Sequence, residues 1–306
     1  MRVLFLFLDG VGLGPSDAES NPFARTALPN LERLLGGRRL TFEAAGVETA
    51  ISCLLALDAG LGVDGLPQSA TGQATLLTGK NIPRLVGEHF GPKPNARVRQ
   101  ALQAGNLFSW LRGRGRTAAL LNAYPEAYFR HLNSGRRLPG AVAMAARLAG
   151  LELMTAEDLF AGRALSADFT GKGWRERLGY AQTPLFSFDQ AGRQLAALAQ
   201  RYDFSLFEFW ISDVLGHRQD MDEAVAWLRR LDQVLGGLLA AWNVERDVIL
   251  ITSDHGNLED LSSRRHTANP VPALIVGPPG ARALAGQRLR SLQDVAPLIL
   301  DWVENG

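Results

Sequence analysis

The stretch Val248-Ile-Leu-Ile-Thr-Ser-Asp254-His255-Gly256-Asn257 decides the fold. Its first five residues, Val248 to Thr252, are apolar or β-branched and bounded by polar breakers, the pattern of a strand buried on both faces. A carboxylate follows almost at once. The arrangement recurs twice: Val3 to Leu8 precedes Asp9, and Phe204 to Ile211 precedes Asp213. Asp9, Asp213 and Asp254 thus each stand one or two residues beyond a predicted parallel strand, the edge at which open α/β sheets gather their ligand-binding groups.

Working outward, a fourth strand is predicted over Thr117 to Leu121, after the turn-like Arg112-Gly-Arg-Gly-Arg116, and a fifth over Ala273 to Val276, between Pro272 and Gly277. Helical periodicity covers Ala191 to Tyr202 and Met221 to Trp242, the latter with apolar residues at Ala224, Trp227, Leu228, Leu231, Val234, Leu235 and Leu238. Strands alternating with helices imply an α/β sheet. Residues 131–190 lack so clear a rhythm: Arg136-Arg137 and Pro139 precede a helical Ala141 to Leu148, and the polar Asp168-Phe-Thr-Gly-Lys-Gly173 follows. This segment reads as a small lid or an elaborated connection. Residues 81–105, with Gly91-Pro-Lys-Pro94, are the other irregular region. There is no internal repeat and no evident linker, so residues 1–306 read as a single catalytic domain.

The charge balance, 32 basic against 31 acidic residues, gives no bulk field for recruiting nucleic acid, and a small substrate fits better. Cys53 is the only cysteine and lies in the apolar Ile51-Ser-Cys-Leu-Leu, which suggests a buried residue and a reducing compartment. The apolar run at Met1 is interrupted by Asp9 and has no small-residue cleavage site, so it reads as a first strand rather than a leader. No apolar stretch is long enough to span a bilayer, and a cytoplasmic enzyme is the expectation.

The chemistry gathers around the three aspartates. Ile211-Ser-Asp213-Val-Leu-Gly-His217 sets a carboxylate and an imidazole four residues apart, so that both can face one ion; Asp254-His255 sets another pair side by side. Arg265-His266 supplies a third histidine before the fifth strand, so three of the five histidines fall in this Asp-rich set. Taken singly, each Asp reads as a helix cap or turn residue and each His as a hydrogen-bonded structural residue; their coincidence on one rim favours metal ligation. In Pro67-Gln-Ser69-Ala-Thr71-Gly-Gln73-Ala-Thr-Leu-Leu-Thr-Gly79, a loop delivers Ser69 to the start of a helix closed by Gly79. Ser69 could be a plain N-cap, but a helix N-terminus also attracts phosphate, and a hydroxyl touching a metal there is a usable nucleophile.

In order along the chain, Asp9-Gly, Ser69-x-x-Gly72, Asp213-x-x-x-His217, Asp254-His255-Gly256-Asn257 and His266-Thr-x-Asn-Pro-Val-Pro272 resemble the alkaline phosphatase superfamily. The likeness is strongest to its cofactor-independent phosphoglycerate mutase and phosphopentomutase branch. It implies an alkaline-phosphatase-like three-layer sandwich around a mostly parallel sheet, with at most a small lid. It also implies two divalent cations, Mn²⁺ or Zn²⁺, one held by Asp9, Ser69, Asp254 and His255 and the other by Asp213, His217 and His266. Ser69 is then the nucleophile, with Thr71 as rival because the branch uses either hydroxyl type. Gln73 departs from the histidine usual after that glycine. Between residues 84 and 200 the likeness is loose, resting on Gly171-Lys-Gly173 and the strand at Thr117.

The mutases of that branch carry a large inserted cap bearing the arginines that hold and reorient substrate, and this chain has no room for one. The expected activity is therefore hydrolysis of a small phosphate ester through a phosphoserine, with a phosphomutase as the alternative and a non-enzymatic metal-stabilised module as a remote one. Arg84 and Lys93 are the candidate substrate contacts, with His89, Arg97 and Arg99 nearby; a solvated basic face is the plainer reading of all five. The glycine-rich Gly10-Val-Gly12-Leu-Gly14 lacks the spacing of a dinucleotide fingerprint, and Pro15 stands where the cradling helix would start.

Overall fold

A computed structural model describes residues 1–136 and 138–305; Arg137 and Gly306 lie outside the described residues. Six strands, β1 (Val3–Leu8), β2 (Ser52–Leu57), β3 (Ala118–Leu120), β4 (Phe204–Phe209), β5 (Val248–Thr252) and β6 (Val271–Val276), form one sheet in the order β2-β6-β5-β1-β4-β3. β5, β1, β4 and β3 run parallel, whereas β6 is antiparallel to both β5 and β2. β1 and β5 cover the predicted residues. β4 stops at Phe209, two residues short, because Ile211 opens the helix Ile211–Arg218. β2 falls on the Cys53 stretch, which the reading above leaves without a strand, and β6 begins earlier, at Val271.

Although the central strands are mostly apolar, their side chains sort by parity onto two faces. Phe5, Phe7, Phe204, Leu206 and Leu250 pack with the helices Ser69–Thr78, Ala96–Gln103, Ala141–Leu148 and Val295–Asn305. Leu4, Leu6, Phe207, Phe209, Ile249 and Ile251 pack with Phe188–Ala199 and Met221–Ala241. The result is helix, sheet, helix in three layers. The helix Ala141–Leu148 lies inside the first core with residues 141–146 buried, and the remaining short helices of that region, Ala156–Phe160 and Lys172–Glu176, share a small cluster around Trp174 and Leu159. No helix among the described residues is long and apolar enough to cross a membrane.

The two helices of the second face meet backbone to backbone. A Cβ on Gly192 would stand 2.0 Å from the Val234 carbonyl oxygen, and one on Gly237 would stand 2.0 Å from that of Asp189. Gly237→Ala must therefore push the helices apart. We expect it to lower stability by about 1–3 kcal/mol, read from denaturant unfolding, the range of overpacked cores; a midpoint equal to the parent's would contradict this crossing.

Candidate metal centre

Asp9 directly follows β1, and its N–H donates to the Phe209 carbonyl at 3.2 Å; Leu8 and Phe209 are paired, so the ends of β1 and β4 are level. Beyond β4, Trp210 turns the chain and the first helical turn carries Asp213, with His217 one turn on and on the same side. The two side chains meet: His217 Nε2 is 3.4 Å from Asp213 Oδ2. Beyond β5 the turn Ser253–Gly256 buries Asp254 and His255 completely. The loop leading into β6 brings His266 Nε2 to 3.6 Å from Asp213 Oδ1 and stacks its ring on His255, centroids 3.7 Å apart.

Ser69 begins the helix Ser69–Thr78, with Gly79 as its C-cap, and points its hydroxyl across the sheet end. Its Oγ lies 3.0 Å from His255 Nε2. The same nitrogen is 3.4 Å from Asp9 Oδ1 and 3.6 Å from Asp254 Oδ2. This closeness depends on Gly72, where a Cβ would stand 2.8 Å from the Asp254 carbonyl oxygen; the glycine of Ser-x-x-Gly lets the helix touch the β5 turn. Thr71 is placed differently. Its fully buried hydroxyl bonds the carbonyls of Gln68 and Phe90 at 3.1 and 3.3 Å and accepts from the Phe90 N–H at 3.1 Å, so it straps the start of the helix to the segment at Phe90.

The donor atoms fall into two groups, Asp213 with His217 and His266, and Asp9 with Asp213 and His255, each set lying within 4.8 Å. Two observations test whether cations fit. Asp9 Oδ1 and Asp254 Oδ2 are buried without a hydrogen-bond partner, an expensive condition for carboxylate oxygens unless an ion completes them. His217 Nδ1 and His266 Nδ1 each face a backbone carbonyl, Arg264 O and Pro67 O, at 2.8 Å. A carbonyl only accepts, so each Nδ1 carries a proton and each Nε2 is the atom turned toward Asp213, the orientation of metal-bound histidines. The residues fit.

Electrostatics agree. Burial, and then the charge of Asp254, push the Asp9 carboxyl up to about 8. Asp254 is likewise raised, chiefly by burial. Burial works against a charged His255, yet Asp254 and Asp9 outweigh it and lift the imidazole to about 10, while burial and the neighbouring His255 hold His266 down to about 4. Carboxylates crowded in a dry site take up positive charge in whatever form is offered.

Two acidic residues absent from the sequence reading surround this centre. Glu259 is completely buried and accepts from Gly12 N–H and Asn257 N–H at 2.8 Å, from Asn269 Nδ2 at 3.1 Å and from the Thr267 hydroxyl. One carboxylate thereby ties together the loops bearing Asp9, His255 and His266. Glu208 sits on β4 and senses Asp9. The only sequence signal for it is an acid inside the otherwise apolar Phe204-Ser-Leu-Phe-Glu-Phe; for Glu259 it is an acid two residues past Asn257. Gln73 donates from Nε2 to Asp9 Oδ2 at 3.4 Å, which defines what this departure from the family pattern does. Asn257 Nδ2 similarly steadies Asp213 Oδ1 at 2.7 Å.

The basic candidates divide. Arg84 is exposed on the helix Ile82–Val86, outside this set. Lys93 is exposed but within electrostatic reach of Glu208. His89 Nε2 lies 3.2 Å from the Gly60 and Val63 carbonyls and Arg97 bonds the Val86 carbonyl, so both hold loops, and Arg99 is exposed.

Comparison with known proteins bears out the family likeness. Residues 180–304 match the model of the metalloenzyme superfamily. That match includes Asp213, His217, Asp254, His255 and His266 but neither Asp9 nor Ser69, which the fold brings to them. A 2,3-bisphosphoglycerate-independent phosphoglycerate mutase of Desulforudis audaxviator is 35% identical over 130 residues, 40% of this chain and 25% of that protein. The Dinoroseobacter shibae enzyme of the same name is 36% identical over 113 residues, 35% and 22% of the respective chains. The chain thus matches about a quarter of the length of these curated relatives. Among solved structures, the PH0037 protein from Pyrococcus horikoshii superposes with a TM-score of 0.59 at 16% identity, covering 100% of this chain and 97% of that one. The alkaline phosphatase from the Antarctic bacterium TAB5 superposes at 0.51 and 12% identity, covering 99% and 97%. The fold is alkaline-phosphatase-like.

Proposed function

We propose that this chain is a metal-dependent phosphohydrolase that cleaves a small phosphate ester through a phosphoserine at Ser69, with residues 1–306 acting as one catalytic unit. The observation that carries the reading is the position of the Ser69 hydroxyl, at a helix N-terminus and 3.0 Å from His255 Nε2, facing two buried carboxylate oxygens that lack partners. Divalent cations, Mn²⁺ or Zn²⁺, held by Asp9, Ser69, Asp254 and His255 and by Asp213, His217 and His266, would lower the hydroxyl pKa and neutralise phosphoryl charge. Ser69 Oγ attacks phosphorus, the bond from phosphorus to the ester oxygen breaks, and the alcohol leaves with a proton. The start of the helix Ser69–Thr78 favours the transferred anion. Water then attacks the phosphoserine, releasing phosphate and restoring the hydroxyl.

The names of the relatives favour a second reading, a phosphomutase, in which the phosphoryl group returns to a reoriented product. Hydrolysis is preferred because a mutase must hold its dephosphorylated intermediate away from water. Much of the chain between the Ser69 helix and β4 is spent on the core, including Ala96–Gln103, Leu107–Gly113, β3 and Ala141–Leu148. With Mn²⁺ restored, 3-phosphoglycerate, pentose 1-phosphates and an aryl phosphate should yield inorganic phosphate, with isomerised product a minor fraction. Rapid isomerisation with negligible phosphate would establish the mutase reading, and metal content near zero after reconstitution would sink both.

A further inference from the structure

The helix Ile211–Arg218, which carries Asp213 and His217, ends at Gln219 in the left-handed region, with φ 56° and ψ 26°. Glycine is the usual occupant of such a C-cap, because a β-carbon there crowds the following carbonyl. Here a long amide side chain occupies it, and both ends of that amide are bonded. Gln219 Nε2 donates to the Leu261 carbonyl at 2.9 Å, and Gln219 Oε1 accepts from Arg264 Nε at 3.1 Å. The loop so gripped runs from Leu261 to His266. Arg264 in turn presents its carbonyl to His217 Nδ1 at 2.8 Å, which closes a ring of contacts from the helix end to the loop and back to the imidazole.

Packing alone does not set this geometry. His255 is completely buried and His266 nearly so, whereas the His217 side chain is 45% exposed, and Ser262, Arg264 and Arg265 are exposed as well. An exposed imidazole on the last turn of a short helix keeps its direction through the hydrogen bond at its far nitrogen. That bond comes from the loop that Gln219 holds. The same loop delivers His266, whose Nε2 is 3.6 Å from Asp213 Oδ1, while His217 Nε2 is 3.4 Å from Asp213 Oδ2. One amide thus joins the supports of two imidazoles that face a single carboxylate. Neither of its bonds touches the turns that carry Asp9, Asp254 and His255.

We propose that Gln219 is a positioning residue for the second cation, holding His217 and His266 at the spacing that Asp213 completes, while the first cation is left to Asp9, Ser69, Asp254 and His255. This rests on the two-metal reading above. The test is calorimetric titration of the metal-free full chain with Zn²⁺, together with thermal melting. The parent should take up two equivalents. Gln219→Gly removes the amide but suits the left-handed backbone, so melting of the metal-free protein should be unchanged or higher. One of the two binding steps should nonetheless weaken about tenfold or more, and the other by less than about threefold. Loss of affinity at one step with stability preserved does not arise from damaged folding. Arg264→Ala should weaken the same step, and Gln219→Gly combined with Arg264→Ala should weaken it no further than the more harmful single change, as for partners in one contact. If both steps stay parent-like in Gln219→Gly, or both weaken equally, or the two substitutions add, the role of Gln219 is overturned while the two-metal reading stands. A parent that binds fewer than two equivalents overturns both.

Discussion

Ser69→Ala is expected to lower turnover by about 10³-fold or more, the range for losing a covalent nucleophile, while most of the metal is retained. Asp9, Asp254 and His255 would remain to hold the first cation, so the loss is one of chemistry rather than assembly. Thr71→Val makes the contrast. Its hydroxyl straps the Gln68 and Phe90 backbone, so this change should cost about 1–2 kcal/mol of stability and less than about tenfold in turnover. Steady-state rates, metal analysis and mass spectrometry of acid-quenched enzyme read the three quantities. Trapped phosphate on Thr71 rather than Ser69 would reverse the assignment.

Glu259→Ala should be the most damaging change outside the ligands themselves. It leaves the amides of Gly12 and Asn257, the Asn269 side chain and the Thr267 hydroxyl without their shared acceptor, all close to a fully buried position. Unpaired buried donors at about 1–3 kcal/mol each, partly relieved by water filling the space, give an expected loss of about 3–5 kcal/mol. The loops it joins carry the proposed ligands Asp9, His255 and His266, so metal affinity should also weaken by about 10- to 100-fold. Glu259→Gln should be milder in both respects, because the Thr267 hydroxyl and the Asn269 amide can reverse to accept from the new amide. Calorimetric melting with and without metal, followed by metal titration, checks both effects; parent-like values in Glu259→Ala would remove its proposed role.

Much of the fold was legible because buried central strands are written as short apolar runs between polar breakers. Val3–Leu8 and Val248–Thr252 end where a charged or small polar residue intervenes. The end of β4 was not legible: Trp210 and Ile211 continue the apolar run, and residue type alone does not reveal that the chain has begun to wind into the Asp213 helix. β2 escaped notice because it opens on Ser52, a polar residue that is buried only through its bond to the Leu34 carbonyl, a tertiary contact. Pro272 reads as a boundary, yet it is tolerated within β6 because pairing with β5 reaches only as far as Ala273. The antiparallel direction of β6 leaves no mark in hydrophobicity.

The gathering of Asp9, Asp213, Asp254 and the three histidines at one end of the sheet was legible because strand ends restrict position. Ser69 and Thr71 were separated only by their neighbours: one faces His255, the other faces backbone. Glu208 and Glu259 are held by groups more than 80 residues or several loops away, Asn122 for the first and Gly12 for the second, and no local spacing records such a partnership.

The placing of β1 has a consequence for how the molecule comes into being. β1 sits between β4 and β5, which begin at Phe204 and Val248, so neither neighbour exists until long after β1 has been made. Until then Val3–Leu8 leaves the ribosome as an apolar segment with both edges open, a hazard that falls to chaperones or to transient burial against nearby helices. Loop closures of this length also make for slow assembly. Because Asp9 is delivered by that strand, the cluster it forms with Asp213, Asp254 and the histidines should assemble among the last events of folding.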